Sequence, residues 1–472
     1  MARLAVLSFS DGRERVHRDL VARIASAEGA LTAALRDAGH DVLAREEIVH
    51  TSEGALAEVR RVVDWRPDLV VFHYSVWAFP HFSVIAAREL DCPLLLFCGL
   101  DPAYPGMVGM LAAGGALDQI GRRHSRLYGD AGDPAVVAAL GVEAAGAGAA
   151  RSLRGLTFGR IGGRSMGMYT AVASGAQWID TFGVDVEEID QWEIVRRSES
   201  VPAAKAEAGR RWLEEHVRGV HYDGKQLTPE LLERQVRSYY AMRELIDEWK
   251  LDFTGIKAQP ELTDHFATMD VTEAFLNDPY DWDGPKEPHV CATEADMDGA
   301  LTMQLLKSIA GTPVLFADVR HYDADLGIWD LCNSGQHATW FAERSDDPAE
   351  NLRHVDLHPE GFYFPAGGAS IRHIAAPGEF TFARLSRLDG AYRMQVVGGS
   401  IERFDDETNE RLARASTYEW PHAFARLEVP ADEFLARFAS NHIHAVPGDH
   451  VEALRSACGH LGVEFVPLGA GT

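Results

Sequence analysis

The sequence predicts an α/β protein: two doubly wound parallel-sheet domains followed by a β-rich C-terminal domain. Three observations lead there. In the first third, short continuous apolar runs such as 69–73 (LVVFH) and 93–98 (PLLLFC) alternate with helical stretches, the mark of parallel strands covered on both faces. The alternation resumes after a small-residue stretch, 144–150 (AAGAGAA). From about Asn351 onward, strand-like segments broken by turns take over. A chain of 472 residues accommodates about two to four domains of roughly 100–200 residues each. The boundaries expected are 1–150, 151–330 and 331–472.

Element by element, residues 4–8 read as a buried strand, and 16–38 as a helix ending near Gly39. Residues 82–90 form the helix between the two apolar strands. The stretch 144–150 is read as a flexible, unpatterned link. Residues 156–161 are a strand, followed by the glycines of IGGRSMG and a helix from about Met168. A long amphipathic helix at 227–249 carries Pro229 in its first turn and leads into a strand at 253–256. Next come a strand at 289–292, a helix at 296–309 ended by Gly311, and a strand at 313–317 (PVLFA). In the last third, 361–370, 380–385 and 392–397 read as shorter strands.

Composition narrows the function classes. The chain has 45 Lys+Arg against 71 Asp+Glu, a net charge of −26, which argues against nucleic acid or an anionic membrane as partner, since both are bound through clustered cations. No window approaches a membrane span of roughly 18–20 apolar residues, and the apolar stretch near the start is too short for a signal-peptide core. Five scattered cysteines, mostly in apolar strings, predict buried reduced thiols and a cytoplasmic address.

Candidate chemistry gathers at strand ends. Glu294 follows the strand ending at Ala292, and Asp318 the strand ending at Ala317. A strand–helix–strand unit of this length predicts parallel strands with a right-handed crossover, placing both carboxylates at the C-terminal edge of one sheet, where α/β proteins bind ligands. Adjacent strands lie about 4.8 Å apart, so the two side chains could share a metal ion. The alternative is that Glu294 caps the following helix and Asp318 pairs with Arg320. His442 and His444, in NHIHAVPGDH, face one side if that segment is a strand, and a neutral imidazole would complete the site. His444 and His450 read as ordinary histidines, and Asp449 as a helix N-cap. IGGRSMG could offer backbone amides and the Ser165 hydroxyl to a ligand oxygen, although it is neither a dinucleotide fingerprint nor a P-loop. Arg13, in DGRERVHR, projects into a pocket or belongs to a turn. Trp77, in YSVWAFPHF, stacks on a sugar or is a buried aromatic.

Together these strings resemble the L-fucose isomerase branch of the L-fucose/L-arabinose isomerase family. The matching segments are SDGRERVHR, GGRSMGM, LTDHFATMDVTEAFLNDPYDWDGPKEPHVCATEADMDGAL, FADVRHYD, CNSGQHA and SNHIHAVPGDH, collinear along nearly the whole chain. The resemblance implies three domains, interconversion of an aldose and its ketose, and a homo-oligomer (hexamer or trimer). It also implies a divalent metal, most often Mn²⁺, with Mg²⁺ or Co²⁺ as alternatives. By motif position Glu294, Asp318 and His442 are metal ligands, Glu294 and Asp318 are the catalytic pair, and Arg13, Trp77, Ser165, Gln259 and Asn441 line the sugar pocket. Two residues depart from the fucose-type pattern. Lys257 replaces a neutral amide and would favour an anionic substrate if it faces the pocket. His337, in NSGQHA, resembles a ligand histidine of arabinose-type enzymes. The activity expected is ketol isomerisation of a free sugar of L-fucose/D-arabinose or L-arabinose type through an enediol. The alternatives are a metal-dependent lyase or epimerase on a modified sugar, or a non-catalytic carbohydrate-binding protein.

Overall fold

Alternation within the strand Arg3–Ser8 sends its side chains into two cores. Ala5 and Leu7 join Val70, Phe72, Leu94 and Leu96 on one side, while Leu4 and Val6 join Leu69, Val71, Leu95 and Phe97 on the other. A strand buried on both faces needs helices on both, and the helices Ser52–Trp65, Pro80–Arg88 and Gly106–Gln119 cover one face while Glu14–Asp37 and Pro134–Ser152 cover the other. The sheet runs Asp41–Ala44, Arg3–Ser8, Leu69–Tyr74, Leu94–Cys98, Ser125–Tyr128, with every pairing parallel. The computed structural model describes residues 1–334, 337–360 and 364–469. They divide into Met1–Arg154 with Glu452–Glu464, and Gly155–Val451 with the described residues after Glu464.

The stretch 144–150 is not a flexible link. It is the end of the helix Pro134–Ser152, and its small residues serve packing: a Cβ on Gly146 would lie 2.4 Å from the Ala453 carbonyl oxygen. Glu143 beside it accepts from His460 Nε2 at 2.7 Å. Tiny side chains read as flexible in isolation, but here they let two helices touch.

The second unit holds two principal sheets. One is parallel, in the order Cys291–Thr293, Phe253–Ile256, Thr157–Ile161, Asp185–Ile189. The other has seven strands, six of which close into a ring: Gly378–Leu388, His442–Pro447, Leu315–Asp323, Ile328–Cys332, His422–Leu427 and Ala391–Glu402, which pairs back to Gly378–Leu388. Each of these six pairings is antiparallel. Leu315, Ala317, Leu331, Phe382, Val397, Ala423, Ala425, Ile443 and Ala445 form one buried cluster drawn from all six strands, so it fills the ring's interior. Repeated alanines suit so narrow a barrel.

This topology corrects the expected strand–helix–strand unit. Cys291–Thr293 is the edge of the parallel sheet, whereas Leu315–Asp323 lies in the antiparallel barrel, so Glu294 and Asp318 do not share a sheet edge. The run PVLFA looks like a strand apolar on both faces because Leu315 and Ala317 enter the barrel while Phe316, on the outer face, packs against His442 and His444 at ring-centroid distances of 4.6 and 4.7 Å. The strands expected at 380–385 and 392–397 are longer arms of one hairpin, 11 and 12 residues. Of 361–370, residues 361–363 lie outside the described residues, and the strand is Ala369–Arg372. The helix expected from Met168 begins instead at Gly175. Four positive φ angles at Gly162, Gly163, Met166 and Gly167 keep the preceding segment irregular.

Candidate metal centre

Glu294 leaves the parallel sheet on a strained turn. Glu294 and Ala295 have φ of 58° and 49°, a region that costs a side-chain-bearing residue about 1 kcal/mol or more. Ala295 N–H bonds the Ile256 carbonyl and Asp296 N–H the Thr293 carbonyl, which holds the turn. The helix Met297–Ala310 is capped by Asp296, whose Oδ1 accepts from Gly299 N–H at 2.9 Å. Glu294 is therefore not the cap, and its carboxylate is free to face elsewhere.

The barrel supplies the other two groups as a register pair, since Asp318 lies directly opposite His442. His442 Nε2 stands 2.9 Å from Glu294 Oε2 and 3.5 Å from Asp318 Oδ1. Glu294 Oε2 and His442 Nε2 are shut off from solvent and have no hydrogen-bond geometry to any described residue. Asp318 accepts from Asn441 Nδ2 and Asn333 Nδ2, both at 3.0 Å, and does not pair with Arg320, whose Nη2 donates to Thr417. Burial raises the Asp318 carboxyl above its usual range, with His442 opposing and Glu294 reinforcing.

Behind the imidazole, Asp296 Oδ2 meets His442 Nδ1 at 2.6 Å. Arg384, 1% exposed at its side chain, donates Nη1 to Asp296 Oδ2 at 2.5 Å and Nη2 to Asp296 Oδ1 at 3.1 Å and the Thr170 carbonyl at 2.9 Å. Burial alone would raise Asp296, but the Arg384 guanidinium and His442 hold it far below the normal carboxylate range. Burial would lower His442, yet the carboxylates of Asp296, hydrogen-bonded to Nδ1, and of nearby Glu294 push it up to about 10 in the metal-free protein. A proton there occupies the place a cation would take.

The donor set fits a divalent ion. Two carboxylates and one imidazole converge, two of the converging atoms are without a hydrogen-bond partner among the described residues, and the thiol opposite Asp318, Cys332, is raised well above its usual value by burial. Oxygen-rich sets of this kind suit Mn²⁺ or Mg²⁺ better than structural Zn²⁺.

Of the pocket residues expected from the sequence, Ser165, Gln259 and Asn441 gather here. Ser165 Oγ donates to the Gln259 carbonyl at 3.2 Å, and Gln259 Nε2 reaches Glu294 Oε1 at 3.5 Å. The Lys257 ammonium bonds the Glu261 carboxylate, four residues on. His337 is buried beside His373, with ring centroids 6.0 Å apart, and burial takes it down to about 3. No contact joins it to the Glu294 carboxylate among the described residues. Arg13 and Trp77 belong to the other unit. Arg13 is 67% exposed and pairs bidentately with Asp11, and Trp77 is half-buried. Sequence reasoning missed Asp296, Arg384 and Asn333. Only Asp296 carried a signal, as an Asp opening a helix.

Among the described residues, two sets of three donor atoms lie within 4.8 Å of one another: His221, Asp356 and His358, and the buried Asp330, Cys332 and His422. In the second, His422 Nδ1 lies 2.9 Å from Asp330 Oδ1 and Ser416 Oγ donates to Asp330 Oδ2 at 2.6 Å, so its charges are already satisfied within the protein.

Comparison with known proteins gives the family. Residues 1–141 match the L-fucose isomerase first N-terminal domain, 249–311 the second N-terminal domain and 331–468 the C-terminal domain. The chain belongs to the L-fucose isomerase family. It is 25% identical over 445 residues to the L-fucose isomerase of Klebsiella pneumoniae, 25% over 444 residues to that of Citrobacter koseri, and 26% over 441 residues to that of Escherichia coli, in each case over 78% of this chain and 73% of the relative. It is accordingly an enzyme of the ketol-isomerase class. Glu294 falls within the span matched to the second N-terminal domain and His442 within the C-terminal one.

Proposed function

We propose that this family member interconverts a free aldose and its ketose through an enediol, at a site where Glu294, Asp318 and His442 hold a divalent ion, Mn²⁺ by preference. The observation that carries the reading is the convergence of both carboxylates on one buried imidazole nitrogen. Moving a carbonyl from C1 to C2 takes a proton from C2, returns one to C1, and shifts a hydroxyl proton from O2 to O1. Glu294, 5% exposed, is the base that takes the carbon proton and gives it back. Asp318, whose carboxyl burial raises above its usual range, carries the hydroxyl proton. Asn333 and Asn441 hold Asp318 in place, and Gln259 orients Glu294. A bound divalent ion would supply Lewis-acid stabilisation of the negative charge that develops on the sugar oxygens.

The test is to strip the protein with chelator, confirm by elemental analysis that it is metal-free, and assay a panel of aldoses for ketose before and after adding Mn²⁺ or Zn²⁺. Restoration by Mn²⁺ beyond that by Zn²⁺ is expected. Full turnover by metal-free protein in excess chelator overturns the reading. The same proposal includes a homo-oligomer, hexamer or trimer, checked by native mass spectrometry of active protein. It also includes a cytoplasmic location, supported by five free cysteines of which four are buried.

A further inference from the structure

A ligand histidine works only if the nitrogen facing the ion carries a lone pair and the ring is held in the right plane. The other nitrogen decides this, since a carboxylate accepting from Nδ1–H forces the lone pair onto Nε2. His442 meets that condition through Asp296 at 2.6 Å. Asp296 is itself immobile: it is wholly buried, its Oδ1 caps the helix Met297–Ala310, and Arg384 grips both of its oxygens. Arg384 is in turn anchored to the Thr170 carbonyl and lies 3.2 Å from His444 Nε2. A helix cap in one α/β layer and a strand of the barrel are thus tied by one ion pair placed behind the metal-facing imidazole.

We infer that Asp296, clamped by Arg384, is the positioning residue that fixes the tautomer and ring plane of His442, so that affinity for the divalent ion depends on a carboxylate that never touches it. This rests on the proposed function, because it takes Nε2 of His442 to be the ligand atom. Asp296 and Arg384 are second partners rather than catalytic residues. Their substitution changes how tightly the ion is held before it changes any chemical step.

Two measurements test it. The first uses the wild-type chain with ¹⁵N-labelled histidine and diamagnetic Mg²⁺, with the His442 signal assigned by its absence in H442Q. The expected spectrum has Nδ1 protonated, hydrogen-bonded and slow to exchange, while Nε2 moves on adding Mg²⁺. A ring protonated on Nε2 in the Mg²⁺-bound protein overturns the inference without any variant having to fold. The second measures Mn²⁺ dissociation constants of metal-stripped proteins by the electron-spin resonance of free Mn²⁺. D296N is expected to weaken binding about 10- to 100-fold, with R384Q intermediate because Asp296 stays but loses its clamp, and D296E recovering part of the loss. Far-UV dichroism checks that each variant is folded, and if D296N does not fold, R384Q decides. Folded variants with wild-type dissociation constants overturn the inference. Failure of wild-type protein to bind Mn²⁺, or E294Q binding it unchanged, would instead overturn the metal site on which the inference is built.

Discussion

The two faces of the six-stranded barrel are made by the same strands and do opposite work. On the strand Leu315–Asp323, Leu315 and Ala317 point into the barrel while Phe316 and Asp318 point out. Its neighbours follow suit: Ile443 and Ala445 in, His442 and His444 out; Leu331 and Trp329 in, Cys332 and Asp330 out; Ala423 and Ala425 in, His422 out. Register then aligns His442, Asp318, Cys332 and His422 in a row across four adjacent strands. The inner face buries apolar surface and supports stability. The outer face spends burial on polar groups that must find partners; His422 finds Asp330 and His444 finds Arg384 within the barrel, whereas His442 meets Glu294 and Asp296 from the turn after the parallel sheet. Because side chains alternate with a period of two, a chain can load one face with chemistry without disturbing the other.

Separation of this kind should be visible in variants. The largest effect expected is on the outer face, where E294Q and D318N each lower turnover by at least about 100-fold, the loss typical for a general acid–base group. Each should leave the midpoint of denaturant unfolding within the range of ordinary surface changes. A variant keeping more than a tenth of wild-type activity would remove that carboxylate from the mechanism. On the inner face, F382A, at a fully buried ring in the barrel core, should cost about 3–5 kcal/mol of stability yet leave the Mn²⁺ dissociation constant of the folded fraction unchanged. A folded variant with weakened metal binding would mean that the two faces are coupled.

Two histidines on the outer face sharpen the contrast through pH. His444 is held well below its usual value by burial and by Arg384, so its contribution to stability is present above about pH 6.5 and is lost as pH falls, because the unfolded chain takes the proton first. In the metal-free protein His442 is raised to about 10 by Asp296 and Glu294 against the opposing effect of burial, so its contribution is present below about pH 6.5 and lost as pH rises toward 10. H444Q should flatten the acid limb of stability and H442Q the alkaline limb, each by up to about 1.4 kcal/mol per pH unit. Urea midpoints of metal-stripped proteins across pH provide the measurement, and unchanged limbs would show that these rings titrate alike in both states. The smallest effect should come from C332A, which removes a thiol and no charge. Less than a tenfold change in turnover is expected, and a larger one would make Cys332 part of the active machinery.

Much of the fold was legible because its signals are local. Apolar runs at 69–73 and 93–98, Pro229 in a first helical turn and Gly311 after a last one each report on a few neighbouring residues, and the helices and strands stand close to where those signals put them. The misreadings share one cause. The stretch 144–150 looks pliable until a second helix presses against Gly146. Leu315–Asp323 looks like a parallel partner in the sheet of Cys291–Thr293 until the barrel takes it.

By itself the sequence determined where most helices and strands lie and that His442 and His444 share a face, because residue type and period-two alternation are written into a few consecutive positions. The tertiary structure alone decided that Leu315–Asp323 pairs with His442–Pro447 rather than with Cys291–Thr293, and so that the carboxylates meet at an imidazole across two sheets. It alone brought Arg384 to Asp296, 88 residues apart. Strand pairing depends on burial summed over the whole unit, and many strands of similar pattern compete for each edge. No short stretch of chain holds enough information to choose among them.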